Sequence, residues 1–124
     1  MTTRKELIAQ YKQNAHRLRS MGVFQVKNLH SGRVFLGASM NLDGALEREQ
    51  RWLELGNHMN HQLQADWNAI GADAFVVEAL ETLTPTDEPR NYQEELALLL
   101  EAWMATLEPY DARGYISMPR RLLG

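Results

Sequence analysis

The sequence predicts a small α+β domain in which a three-stranded antiparallel sheet is flanked by helices. Three observations support this: apolar residues alternate with polar ones over 23–29, residues 74–81 are rich in β-branched and aromatic side chains, and long stretches between and after them have helical periodicity. With 124 residues, 44% of them hydrophobic, the chain has the size and composition of one domain with a single core.

The first part of the sequence predicts a helix followed by a hairpin. Residues 3–19 begin with a capping-box pattern and carry an apolar stripe, so they predict an extra N-terminal amphipathic helix. The alternation over 23–29 is typical of a half-buried strand, and 33–37 predicts the returning strand. The polar stretch 30–32 between them predicts the turn.

Two helices and a third strand follow. Asn41 is a good N-cap for a helix that ends at Gly56, and Asn60 caps a shorter helix that ends at Gly71. The composition of residues 74–81 predicts the third strand.

The last third of the sequence predicts a loop, a long helix and a tail. Two prolines interrupt the loop, and the helix over 91–107 has an apolar face broad enough to indicate deep burial or a partner surface. We therefore expect three parts: an N-terminal helix packed on the domain (1–20), the domain itself (21–116) and a C-terminal tail (117–124).

Composition excludes several classes of function. The chain has no cysteine, so it has no disulfide, no thiol nucleophile and no thiolate metal site. No apolar run approaches the ~20 residues that span a bilayer, and the N-terminus is too polar for a signal peptide, so we expect a cytoplasmic protein that does not contact membranes. The net charge of -3 gives no general attraction to phosphate, so nucleic acid is not favoured as a partner and would need a local basic patch.

Two triplets in the hairpin resemble a known family. Residues 22–24 (Gly-Val-Phe) and 35–37 (Phe-Leu-Gly) stand, with a short turn between them, where the GIY-YIG nuclease superfamily has Gly-Ile-Tyr and Tyr-Ile-Gly. Asn-Leu at 41–42, the segment 56–81 and the tail LEPYDARGY follow in the order of small bacterial and intron-borne members. The sequence is thus similar to this superfamily over roughly residues 21–116, most of the chain, and the resemblance implies the same sheet flanked by helices.

The resemblance also implies a chemistry. Family members cut one strand of DNA by phosphodiester hydrolysis with a divalent metal, which needs a group that activates water, a cation beside the phosphate and a carboxylate on the metal. In the family these are the two triplet tyrosines, an arginine and often a histidine on the first core helix, and a glutamate on the last helix. Carried over position by position, they fall on residues without this chemistry: Phe24, Phe35, Ala45, Glu49 and Leu100. We therefore assign no catalytic residue and no metal site.

Arg48 is the displaced residue that would rescue the site. It lies three residues after Ala45 on nearly the same helix face, and an arginine side chain is long. We interpret Arg48, Glu49 and Glu101 as solvated helix charges, because catalytic groups tolerate little displacement, and Glu78 as an exposed residue on the polar side of the sheet.

Arg48, His58 and Asn60 are the residues that would border a binding groove. The His-x-x-His spacing of His58 and His61 straddles the helix start at Asn60, which favours an ordered, capped turn over a metal site. Separately, the N-terminal helix has a basic face that would either contact phosphates or remain solvated, formed by Arg4, Lys5 and Lys12.

Three hypotheses about function follow. The first is a domain without nuclease activity that binds a protein partner or a second copy through an apolar surface at the old motif positions, lined by Phe24, Phe35, Ala45 and Leu100. The second is a divergent endonuclease that uses Arg48, a nearby carboxylate and Mg²⁺ or Mn²⁺. The third is non-catalytic DNA binding through the basic N-terminal helix.

Overall fold

The structure, a computed structural model, describes residues 20–84 and 91–118. The predicted helix over 3–19, most of the loop before the last helix and the end of the tail lie outside these ranges. The predicted basic face also lies outside them, with its residues Arg4, Lys5 and Lys12.

Three strands form one antiparallel sheet, and they are β1 (Met21–Asn28), β2 (Val34–Ser39) and β3 (Phe75–Leu83). β1 lies in the middle and pairs with both neighbours. In the β1–β2 register Phe24 opposes Gly37, so the two triplets lie side by side. The predicted three-stranded antiparallel sheet is confirmed, with each strand within a few residues of its expected bounds.

Asn28 holds the turn between β1 and β2. Its side-chain carbonyl accepts hydrogen bonds from the backbone N–H groups of His30 and Ser31 at 2.9 and 3.2 Å. Gly32 has a φ of 79°, which a glycine adopts without strain. The polar stretch therefore forms the turn that the sequence predicts.

Among the described residues, three α-helices follow the hairpin, and they are α1 (Leu42–Leu55), α2 (His61–Ile70) and α3 (Tyr92–Leu107). The predicted caps Asn41 and Asn60 are confirmed, because each side chain accepts a hydrogen bond from the backbone N–H three residues on. Within residues 20–84 and 91–118, no helix is long and apolar enough to cross a membrane.

One face of the sheet packs against α1 and α2. Phe24 and Val26 of β1 both point to this face, because they lie two residues apart on a strand. Phe24 contacts α1, and the larger core cluster forms around Val26 from Leu53, Leu63, Trp67, Ala74, Phe75 and Tyr115. The two helices that follow the hairpin are thus fixed to β1 by apolar contacts.

The opposite face packs against α3. Val23 points away from Phe24 and pairs with Glu81 of β3. The Glu81 carboxylate accepts a hydrogen bond from the Trp103 indole of α3 at 2.9 Å, and α3 lies against β1 and β2. The sheet is therefore sandwiched, with α1 and α2 on one side and α3 on the other.

Candidate functional site

Phe24 and Ala45, two of the motif positions, lie in the core. They are 3% and 1% exposed, and they pack with Leu42 at the start of α1. The Phe24 ring also lies over Gly37, where an added Cβ would come within 2.4 Å of the Phe24 Cζ. The prediction that these positions line an open apolar surface is therefore wrong for Phe24 and Ala45, because neighbouring apolar side chains fill the space.

Phe35 and Leu100, the other two positions of the predicted apolar surface, are half-buried. Phe35 lies on the same face of the sheet as Phe24 and packs against both core clusters. Leu100 lies on α3, four residues after the buried Leu96 and on the other side of the sheet. Leu100 is therefore not part of the cluster that contains Phe24 and Ala45.

Glu49 and His58 form a buried pair. Each residue is 5% exposed, and the Glu49 Oε2 contacts the His58 Nε2. The His58 Nδ1 accepts a hydrogen bond from the backbone N–H of Asn60 at 2.9 Å. Because Nδ1 accepts a hydrogen bond, Nε2 carries the ring proton and donates a hydrogen bond to the Glu49 carboxylate. The interpretation of Glu49 as a solvated charge is wrong, and the His58 side chain is buried among the described residues.

The burial of Glu49 follows from its place on α1. The buried residues of this helix recur at helical spacing, and they are Leu42, Ala45, Glu49 and Leu53. The position of Glu49 on this stripe therefore indicates burial, although a charged side chain taken alone indicates exposure. The ring of His58 completes the packing, edge-on to Phe35 and Trp52 with centroids 5.2 and 6.2 Å away.

Asn60 and Arg48, the other residues of the predicted groove, differ in how far their side chains are engaged. The Asn60 side chain caps α2 and donates a hydrogen bond to the backbone carbonyl of Tyr115 at 2.8 Å, so both its polar atoms are engaged. The exposed Arg48 guanidinium lies over the Trp52 ring, 5.1 Å from its centroid. Of the three predicted groove residues, only Arg48 remains open to a ligand.

A polar cluster around Tyr115, which the sequence pattern did not predict, ties the C-terminal segment to the sheet. The Tyr115 hydroxyl accepts a hydrogen bond from the Asn28 amide at 3.0 Å and donates one to Asp66 at 2.8 Å. The Arg33 guanidinium lies over the ring and donates from Nε to the backbone carbonyl of Gly114 at 2.9 Å. Burial, with the Asp66 carboxylate as a smaller contribution, raises the pKa of Tyr115 to about 12.

The raised pKa predicts a loss of stability at high pH. The folded protein holds the phenolic proton of Tyr115 more tightly than the unfolded chain does. The protonated phenol therefore stabilises the fold fully below pH 10, and this stabilisation is lost as pH rises toward 12. The free energy of unfolding, measured with urea at about pH 9 and about pH 11.5, should therefore decrease less between these pH values in Tyr115→Phe than in wild type. Tyr110→Phe, a half-exposed tyrosine in the same segment, is the matched control and should retain the wild-type decrease. An equal decrease in all three proteins would contradict the assignment.

The part of the chain that the structure describes is strongly acidic. It carries five Lys or Arg residues against thirteen Asp or Glu residues, a net charge of -8. Glu78 and Glu101 are exposed, as predicted, and Glu78 accepts a hydrogen bond from the Gln25 amide. No group of three His, Asp or Glu side chains in these residues is placed to hold a metal ion.

Comparison with solved structures identifies the fold. The catalytic domain of the homing endonuclease I-TevI matches with a TM-score of 0.64 and 23% sequence identity, over 80% of this chain and 99% of that domain. A point mutant of the same catalytic domain matches with a TM-score of 0.62 and 23% identity, over 77% and 91% of the two chains. No family model and no curated protein sequence matches. The chain thus has a GIY-YIG-like fold, as the triplets predicted.

Proposed function

We propose that this protein is a nuclease-fold domain that does not hydrolyse phosphodiester bonds and acts as a binding module for proteins. The packing of Phe24 against Leu42 and Ala45 carries the proposal. A buried phenyl ring has no hydroxyl to position water, and a buried methyl group offers no charge to a phosphate. Glu49, the carboxylate at the motif position where the family often has a histidine, is already engaged by His58.

The charge of the domain supports a protein partner over nucleic acid. The full chain has a net charge of -3, and the described residues carry thirteen Asp or Glu against five Lys or Arg, so their electrostatic potential attracts basic partners and repels DNA. DNA binding through the basic N-terminal segment, with Arg4, Lys5 and Lys12, would have to overcome this repulsion. Self-association and a cytoplasmic location, both expected from the sequence, belong to the same proposal.

A divergent endonuclease is the competing hypothesis, because Arg48 is exposed. Its guanidinium is held over Trp52, and a catalytic role would require it to leave that ring and meet a metal-bound phosphate.

Plasmid nicking tests the proposal. Wild-type protein in excess over supercoiled DNA, with Mg²⁺ or Mn²⁺, should convert no more plasmid to the nicked form than buffer does, because a buried phenyl ring and a buried methyl group stand at two of the motif positions. Arg48→Ala and the matched control Arg51→Ala, at an exposed position of the same helix, should behave identically. Metal-dependent nicking that Arg48→Ala abolishes and Arg51→Ala retains would overturn the proposal in favour of the endonuclease.

A further inference from the structure

A cleft of 320 Å³ lies between α1 and β3. Its floor is apolar and consists of the half-buried Leu46 and Val77. Its rim consists of exposed polar residues of α1, which are Glu47, Gln50, Arg51 and Glu54. A cleft with an apolar floor and a charged rim can accept alternating side chains of an extended peptide.

β3 is an edge strand. It pairs with β1 on one side, and no strand among residues 20–84 and 91–118 pairs with its other side. The pairing with β1 is regular from Phe75 to Glu78, and an irregularity follows opposite Val23 and Phe24. The free N–H and C=O groups of an edge strand are a template for another strand, which would lie about 4.8 Å further out. At Val77 such a strand would run along the cleft.

Carboxylates stand on both sides of this edge. Glu47 and Glu54 of α1 border the cleft on one face of the sheet. Glu78 and Glu81 of β3 are exposed and pair with Gln25 and Val23, whose side chains point to the opposite face. A strand added to β3 would therefore meet carboxylates on both of its faces. Arg51 also lines the rim of the cleft and is the one cation among the described residues that line it.

We infer that the outer edge of β3 binds an extended segment of another protein in which apolar and basic residues alternate. Its apolar side chains would cover Leu46 and Val77, and its Lys or Arg side chains would lie opposite Glu78 and Glu81. A second copy fits less well, because pairing two β3 edges would bring the carboxylates of both copies together. This inference rests on the proposed function, and it names the partner class and the surface.

Peptide binding tests the inference. A fluorescent nine-residue peptide that alternates valine and lysine should bind the full chain saturably in an anisotropy titration. Glu78→Lys with Glu81→Lys should weaken binding about tenfold or more, because the lysine side chains of the peptide would then face cations instead of carboxylates. The control, Glu94→Lys with Glu101→Lys on α3, makes the same change in net charge at exposed positions and should bind like wild type. If both double variants weakened binding equally, the peptide would be bound by the net charge of the protein alone, and the assignment of the site to β3 would be overturned.

Backbone pairing is tested with methylated peptides. Only alternate N–H groups of an added strand face its neighbour, so N-methylation of one alternate set should abolish binding and methylation of the other set should not. Equal binding of both peptides would overturn strand addition.

Two other segments could cover the outer edge of β3, and each gives a distinct result that would overturn the assignment of an external protein partner. If only the variant Arg4→Glu, Lys5→Glu, Lys12→Glu binds the peptide, the edge belongs to the chain's own N-terminal segment. If the protein is a dimer that the peptide dissociates, the edge belongs to a second copy. Plasmid nicking is a separate readout: cleavage with intact peptide binding contradicts the proposed function alone, and absent peptide binding without cleavage contradicts this site alone.

Discussion

Replacing Ala45 with arginine, the residue that the GIY-YIG family has at this position, should lower the free energy of unfolding by about 3–5 kcal/mol. Ala45 is 1% exposed and packs against Phe24 and Leu42. A guanidinium stays charged at any accessible pH, so it would be buried without a partner or would force α1 away from the sheet. Since domains of this size have about 5–15 kcal/mol of stability, much of it would be lost. Urea denaturation followed by circular dichroism measures the effect.

Gln50→Arg is the matched control. Gln50 is exposed on the same helix, so the same side chain should change stability there by only about 0.5 kcal/mol. If Ala45→Arg proved as stable as Gln50→Arg, position 45 would be open to solvent, and the account of a filled site would fail.

Glu49→Ala should be the second large effect, again about 3–5 kcal/mol. Removing the carboxylate leaves the buried His58 Nε2–H without its acceptor and opens a cavity on the buried stripe of α1. Glu49→Gln keeps an oxygen that can accept from Nε2–H and should cost clearly less. Thermal or urea unfolding of the two variants measures the difference.

A double-mutant cycle separates the pair from its surroundings. Glu49→Leu and His58→Phe should each destabilise the protein, and together they should cost less than the sum of the two, because the double variant leaves neither polar group buried alone. Strictly additive effects would mean that Glu49 and His58 do not interact.

Much of the fold could be predicted from the sequence because its signals are local. Asn41 and Asn60 sit directly before apolar-periodic segments, and both cap helices. The alternation over 23–29 places Phe24 and Val26 on one face of a strand without any knowledge of what covers them. The resemblance of the two triplets added the prediction that the three strands form one antiparallel sheet, which local signals do not contain.

The environment of the site could not be predicted in the same way, because it depends on contacts between distant segments. Phe24 is buried because Leu42 and Ala45 pack against it, and this contact depends on how the hairpin places β1 against the start of α1. The Asn28–Tyr115 hydrogen bond joins residues 87 positions apart. The burial of Glu49 has a different reason, because its position on the buried stripe of α1 outweighs the tendency of a charged side chain to be exposed.

The burial of the motif position in β1 is tested most directly by giving Phe24 the hydroxyl that the triplet tyrosine would carry. Phe24→Tyr should lower the free energy of unfolding by about 1–3 kcal/mol, because the hydroxyl would be buried among apolar side chains. Phe35→Tyr, at the half-buried position of the other triplet, should change it by no more than about 0.5 kcal/mol. If both variants were as stable as wild type, the Phe24 ring would border solvent, and the claim that this position has become core would be contradicted.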